Sequence, residues 1–365
     1  MNNFKDQPNL NSAQLIEWYL LNKRDLPWRN TSSAYKIWIS EIILQQTRVA
    51  QGMEYYHKFI KHYPSVEDLA NASEEDVLKD WQGLGYYSRA RNLHSAAKSI
   101  QKEHDGEFPS SYKKIRSLKG VGDYTAAAIT SFAFNLPHAV VDGNVYRVLS
   151  RLFGIETPID STEGKKEFAA LAQELLPINQ PAEYNQAIME FGALQCTPKS
   201  PNCEKCPFAA QCVAFKMQCI DNLPIKEKKL KQKKRYLNYL IIECEEEILI
   251  NKRDTKGIWQ NLYDFPVIET TRSISANALV KNEAFKKLLK TNSFKLESSS
   301  TERKHILSHQ ILFAKFYHLK TTANLANILG GFERIKKVNL VEKPVPKLIE
   351  NYLKEETNLL YLFSA

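Results

Sequence analysis

The sequence predicts a multidomain protein: a mostly α-helical region over residues 1–225, a basic linker at 226–235, and an α+β domain at 236–365. Three observations predict it. Apolar residues recur at helical spacing through most of the first 195 residues. The stretch KEKKLKQKKR (226–235) is basic at seven of its ten positions, which suits a solvated linker that can also touch phosphates. Beyond it the pattern turns to short apolar runs with strand character, mixed with further helical stretches.

At 365 residues and 43% hydrophobic the chain can bury two cores. Its formal net charge of +9 favours a polyanionic partner. There is no run of eighteen apolar residues, so no transmembrane helix is expected. The opening MNNFKDQPNLNSAQ lacks the apolar core of a signal peptide, so we expect a cytoplasmic location, nucleoid-associated in a bacterium, and no membrane partner. Four of the six cysteines fall between Cys196 and Cys212, an arrangement for metal rather than disulfides in a reducing compartment. Cys219 and Cys244 stand apart and read as structural.

In chain order, residues 12–22 read as an amphipathic helix capped by Ser12. The loop KRDLPWRN follows, with Arg24, Trp28 and Arg29 around a proline. AYKIWISEIILQQTRVAQGMEYYHKFI forms one or two helices, with Ile39, Ile42, Ile43 and Gln46 at helical spacing. Ser65 to Asp80 reads as one helix opened by a Ser-x-x-Asp cap and closed near Gly83-Leu84-Gly85. Residues 87–101, 162–176 and 182–195 give three more. After the linker, RYLNYLIIECEEEILINKR reads as two strands around an acidic turn. Helical patterning returns at 277–290, strands at HILSHQILFAKFYHLK, and a last helix at 345–354.

Two carboxylates stand in unusual settings. Glu41 lies beside Trp38, Ile39, Ile42 and Ile43; in an apolar pocket, desolvation would raise its pKa and let it hold a proton near neutrality. Asp142 lies between an apolar run and Gly143-Asn144, where it can cap the next helix. Upstream, Gly120-Val121-Gly122 opens another apolar helix. Two glycines one residue apart permit positive φ and close backbone approach, and the free N–H groups of a helix start suit a phosphate.

Cys196, Cys203, Cys206 and Cys212 follow the spacing C-x6-C-x2-C-x5-C. Four thiolates so close in sequence can wrap an iron–sulfur cluster or a structural zinc; only one C-x2-C pair is present, whereas zinc more often takes two.

LKGVGDYTAAAI resembles the helix-hairpin-helix of DNA base-excision glycosylases, placed here at about residues 112–133, and VVDGNVYRVL resembles the segment with their essential aspartate. WISEIILQQT, DLPWR and WQGLGYYSRARNLH resemble the adenine-excising MutY branch, and the cysteine spacing after EYNQAIMEFGALQC is that of the 4Fe-4S loop (196–212) of MutY-like and endonuclease III-like enzymes. The resemblance covers about residues 12–212 and, more loosely, the rest. It implies a monomeric adenine DNA glycosylase. The substrate would be double-stranded DNA with adenine mispaired with 8-oxoguanine or guanine, and the adenine would be flipped out of the stack. Glu41 would protonate adenine N7 and then activate water. Asp142 would stabilise the sugar cation, with Tyr124 and Asn144 positioning it. Arg24, Trp28, Arg29 and Gln186 would contact adenine. Gln46, Thr47, Leu84, Tyr86, Gly120 and Gly122 would contact DNA, and Lys199 and Lys205 could add phosphate contacts. Lyase-type relatives carry a lysine where Tyr124 stands, so hydrolysis without strand cleavage is expected.

Residues 236–365 resemble the Nudix-like domain of the same branch through GIWQNLYDFP (257–266) and HILSHQ (305–310). The magnesium-binding glutamates of Nudix hydrolases have no counterpart between Gly257 and Lys290, so no pyrophosphatase activity is expected. Ser308 and His309 match the 8-oxoguanine recognition loop, whose usual Phe is Leu307 here. Two alternatives stand beside this reading: a thymine or uracil mismatch glycosylase of the same superfamily, and a catalytically silent iron–sulfur protein that binds DNA.

Overall fold

The computed structural model describes residues 10–227, 232–289, 294–322 and 331–355. Among them, those of Met1–Asn71 and Ser95–Lys228 form one compact unit, and those of Ala72–His94 and Lys229–Ala365 a second. No helix among them is long and apolar enough to cross a membrane.

Up to residue 227 the regular structure is helical. It runs α1 (Ser12–Asn22), α2 (Ala34–Leu44), α3 (Val49–His62), α4 (Val66–Asn71), α5 (Glu74–Asp80), α6 (Ser88–His104), α7 (Tyr112–Ser117), α8 (Asp123–Phe134), α9 (Gly143–Phe153), α10 (Thr162–Leu175), α11 (Pro181–Leu194) and α12 (Val213–Lys216). Phe168, Tyr184, Ile188, Phe191 and Phe208 pack with Leu15, Ile16, Val145 and Leu149 into one core of the first unit. α2 is buried on all sides along Ile37–Ile43, so its polar residues Ser40 and Glu41 are enclosed with its apolar ones.

Several elements differ from expectation. The α1 cap is Asn11, whose side chain accepts from Gln14 N at 3.1 Å; Ser12 is already helical. Residues 65–80 form two helices, because Ser73 repeats the capping pattern of Ser65. Each serine Oγ accepts an amide three residues on, from Asp68 and from Asp76. Of the two hairpin glycines only Gly120 has positive φ (+82°); Gly122 is extended at φ −94° and forms the N-cap of α8. The helix expected at 277–290 is two short ones, α13 (Ala276–Val280) and α14 (Glu283–Leu288). They are separated because the Asn282 side chain caps the second through Ala284 N. Part of the basic stretch, 228–231, lies outside the described residues, and Lys233–Arg235 already belong to a strand.

In the second unit β1 (Lys233–Cys244), β2 (Glu247–Lys252), β3 (Tyr263–Asp264), β4 (Val267–Thr270), β5 (Phe294–Ser299), β6 (Arg303–Ile306), β7 (Gln310–Thr321) and β8 (Glu333–Lys336) form a mixed sheet of order β3-β2-β1-β7-β5. Its centre is the parallel pair β1·β7, in register from Lys233↔Gln310 to Glu243↔Lys320. Parallel strands covered on both faces need continuous apolar runs, which LNYLII largely supplies; residues 237–242 are all buried. The helix α15 (Lys347–Glu355) lays Tyr352 flat on Phe316, with ring centroids 3.7 Å apart. β6 and β7 pair antiparallel, and 307–309 form the tip between them.

Candidate active site

Burial of α2 places Glu41 at 8% exposure on the wall of a cavity of about 210 Å³. Desolvation pushes its carboxyl up to about 7; a hydrogen bond from Tyr124 and the charge of Arg29 pull it down, and Asp142 pushes it further up. Burial also raises the Tyr124 phenol well above its ordinary value, so it remains a donor.

Asp142 enters the same cavity from the N-cap of α9. Its Oδ1 accepts from Asn144 N and Val145 N, each at 2.8 Å, and its Oδ2 accepts from Asn144 Nδ2 at 2.8 Å. Burial raises its pKa, while these three donors and Arg147 favour the ionised form. Glu41 receives one such bond. Of the two carboxyls, Asp142 is therefore the better held as an anion.

The remaining wall is a charged cluster. Arg24 reaches Glu190 with Nε at 2.8 Å and Nη2 at 2.5 Å, and Arg29 Nη2 donates to the same carboxylate at 2.8 Å. Glu190 is 1% exposed, and these partners, outweighing its burial, hold its carboxyl down at about 2. Trp28 packs edge-on against Tyr56. Tyr19 Oη donates to Gln186 Oε1 at 3.3 Å, and Gln186 lines the cavity. Arg24, Trp28, Arg29, Glu41, Tyr124, Asp142, Asn144 and Gln186 thus share one cavity, and Thr47, expected as a DNA contact, lines it too. Glu190 and Met189 also line it and were not singled out from the sequence; Glu190 follows Gln186 by four residues on one helix, a spacing that places both on the same face.

Arg147 was also missed. Its Nη2 donates to Asn144 Oδ1 at 2.8 Å and to Gly192 O at 2.6 Å, and its Nε to Cys196 O at 2.7 Å. Arg151 binds the carbonyls of Thr197, Pro198, Ile220 and Leu223. The two arginines tie α9 to the cysteine loop.

Cys196, Cys206 and Cys212 pack against the core beside Phe208. Cys203, Cys206 and Cys212 each feel the charge of Cys196, and burial pushes the Cys206 thiol up to about 11. Among the described residues no three His, Cys, Asp or Glu side chains are grouped so as to hold one metal ion. Four thiols of one loop, each in electrostatic reach of another, are a donor set of the kind an iron–sulfur centre takes.

Gly120 and Gly122 line a second groove of the first unit with Tyr112, His138 and Lys165; a Cβ at Gly122 would meet nothing within 4 Å. Gln46 is exposed, with left-handed backbone (φ +55°). In the second unit Leu84 is buried, while Tyr86 is 47% exposed and its Oη lies 2.8 Å from Ser308 Oγ. Tyr86, Leu307, Ser308 and His309 line a pocket of about 280 Å³ with Arg91 and Trp259.

Residues 39–177 match the family described as "HhH-GPD superfamily base excision DNA repair protein", and residues 238–355 match the NUDIX domain. An adenine DNA glycosylase of Buchnera aphidicola (subsp. Schizaphis graminum) is 33% identical over 345 residues, 93% of this chain and 97% of the relative. The Homo sapiens adenine DNA glycosylase is 44% identical over 211 residues, 55% of this chain and 39% of the relative. Among solved structures, a thermostable thymine-DNA glycosylase aligns with TM-score 0.53 and 32% identity over 56% of this chain and 95% of its own. Endonuclease III in a non-covalent DNA complex aligns with TM-score 0.50 and 23% identity over 57% of this chain and 98% of its own, a likeness of fold.

Proposed function

Since this chain belongs to the adenine DNA glycosylases, within the helix-hairpin-helix base-excision superfamily, and is thus a DNA N-glycosylase, we propose that it hydrolyses the N-glycosidic bond of adenine paired with 8-oxoguanine or guanine in duplex DNA. The observation that carries this reading is the carboxyl pair on one cavity: Glu41 pushed up to about 7, and Asp142 bound by three N–H donors.

The flipped adenine enters between Trp28, Arg29 and Gln186. Glu41 delivers its proton to N7, so the base leaves as a neutral molecule. The electron pair of the glycosidic bond goes to the base and leaves positive charge on the sugar, which the Asp142 carboxylate stabilises. Glu41, now an anion, takes a proton from the water that attacks the sugar carbon. Burial keeps Glu41 protonated against the hydrogen bond from Tyr124, while the donors at Asn144 and Val145 keep Asp142 ionised. With a phenol at position 124, the reaction ends at an abasic site.

The helical region 1–225 carries this chemistry, and 236–365 recognises 8-oxoguanine through the loop of Leu307, Ser308 and His309, in which Leu307 stands where the family's loop commonly has Phe. Gln46, Thr47, Leu84, Tyr86, Gly120 and Gly122 contact the duplex. Cys196, Cys203, Cys206 and Cys212 would hold a 4Fe-4S cluster, supported by the four-thiol donor set and its spacing in the sequence, and the bound cluster would order the loop for DNA binding. The protein acts as a monomer on chromosomal DNA. The test is single-turnover base release from duplexes with A opposite 8-oxoguanine, A opposite G, and T opposite G, analysed with and without alkali. Fast adenine loss with alkali-dependent breaks supports the reading; thymine release, or no release, overturns it.

A further inference from the structure

Tyr86 is exposed, yet it has a fixed place. It ends a turn in which Gly83, Gly85 and Tyr86 all have positive φ, at +97°, +76° and +47°. The first two are glycines, for which this costs little; Tyr86 carries a Cβ and needs its conformation imposed from outside.

The carbonyl of the peptide joining Gly85 to Tyr86 accepts twice, from Trp81 Nε1 at 3.0 Å and from Arg89 Nη2 at 3.3 Å. The Arg89 guanidinium also lies over two rings, 5.0 Å from the Trp81 centroid and 5.7 Å from that of Tyr86. The Arg89 amide donates to Tyr86 O at 2.9 Å. Trp81 is fully buried and Arg89 is 9% exposed. One side chain thus holds the peptide before Tyr86 and lies on its ring, backed by a fixed indole. Burial pushes the guanidinium down to about 10, which leaves it charged at neutral pH.

We propose that Arg89 is a positioning residue for base recognition: stacked between Trp81 and Tyr86, it presets the Tyr86 ring against Ser308, so that the two read the base opposite the excised adenine. This rests on the reading given under Proposed function. Only a planar cation can cover two rings and donate in its own plane to the Gly85 carbonyl; a lysine ammonium keeps the charge without that geometry.

The test uses the full-length holoprotein and the variants Arg89→Met, Arg89→Lys and Tyr86→Ala, singly and with Arg89→Met combined with Tyr86→Ala. The readout is the ratio of single-turnover rates for A opposite 8-oxoguanine and A opposite G. Arg89→Met should lower the ratio about tenfold, the scale of two lost cation–π contacts, and Arg89→Lys should recover only part of it. In the Tyr86→Ala background Arg89→Met should change nothing more. Equal slowing on both duplexes, or a full effect that persists without Tyr86, overturns the proposal. A second readout is the ring resonance of Tyr86 in DNA-free protein, which should shift in Arg89→Met while the melting temperature holds. If the wild type shows no preference between the duplexes, the recognition reading fails, and with it the proposal; a shifted Tyr86 resonance would then mark Arg89 as structural only.

Discussion

Replacing Glu41 by glutamine tests the chemistry and its energetic cost together. The carboxyl titrates at about 7 in the fold against an ordinary 4.5, chiefly because burial on α2 strips its water. Between those values the folded chain holds a proton that the unfolded chain has released. The stabilisation tied to this group is therefore complete below 4.5 and is lost as pH rises through 7. At about 1.4 kcal/mol per pH unit, the span amounts to about 3 kcal/mol. Glutamine keeps the shape and cannot ionise. Relative to wild type, Glu41→Gln should gain about 3 kcal/mol of local stability between pH 4 and pH 8. Hydrogen exchange of the α2 amides at several pH values reads this directly. The same variant should lose about 10²–10⁴ in single-turnover adenine release, and wild-type activity should decline as pH rises above about 7. If the stability difference is flat with pH and the carboxyl titrates near 4.5, Glu41 is not a neutral-pH acid and the mechanism fails.

Asp142→Asn keeps a good N-cap on α9, so melting should be nearly unchanged, while base release should fall by about 10²–10³ or more. Tyr124→Phe removes the hydrogen bond that lowers the Glu41 pKa; the alkaline limb of the pH–rate profile should move upward, and an unmoved limb would sever Tyr124 from Glu41. Gly122→Ala meets open space at an ordinary φ, so stability should stay within about 0.5 kcal/mol while affinity for duplex DNA drops, as read by titration of labelled DNA. Glu190→Gln leaves Arg24 and Arg29 short of their shared anion and should destabilise by about 3 kcal/mol in urea unfolding at neutral pH. That deficit should shrink as the wild-type carboxyl protonates between pH 4.5 and about 2.

Local chemistry was legible in the sequence. Asp142 caps α9 because an acidic residue before Gly-Asn and an apolar run has few other uses, and the cysteine spacing is a property of consecutive residues. Contacts between distant residues were not. The parallel pairing of Lys233–Cys244 with Gln310–Thr321 joins strands far apart in sequence, and nothing local marks it. Ala72–His94 belongs to the second unit, where Glu75 bonds to Tyr263 and Lys343, 188 and 268 residues away. Arg24 and Arg29 were legible as basic residues near a proline, but the group that orients them, Glu190, could be found only by asking which face of α11 carries Gln186.

Backbone conformation supplies what composition could not. Asp105 and Asn135 have positive φ just past the ends of α6 and α8, and Glu245 has it in the turn from β1 to β2; such positions commonly tolerate it. Gln46, just past the C-cap of α2, is a position of the same kind. Tyr86 is different: it follows two positive-φ glycines under the Arg89 stack. It was singled out from the sequence as a DNA contact, and it holds a conformation that disfavours a residue with a Cβ. Strain of this kind persists where the surroundings over-determine it, and it is a reason to look for a ligand. Burying Glu41 carries a cost of the same kind, since a carboxyl stripped of water holds its proton near neutrality.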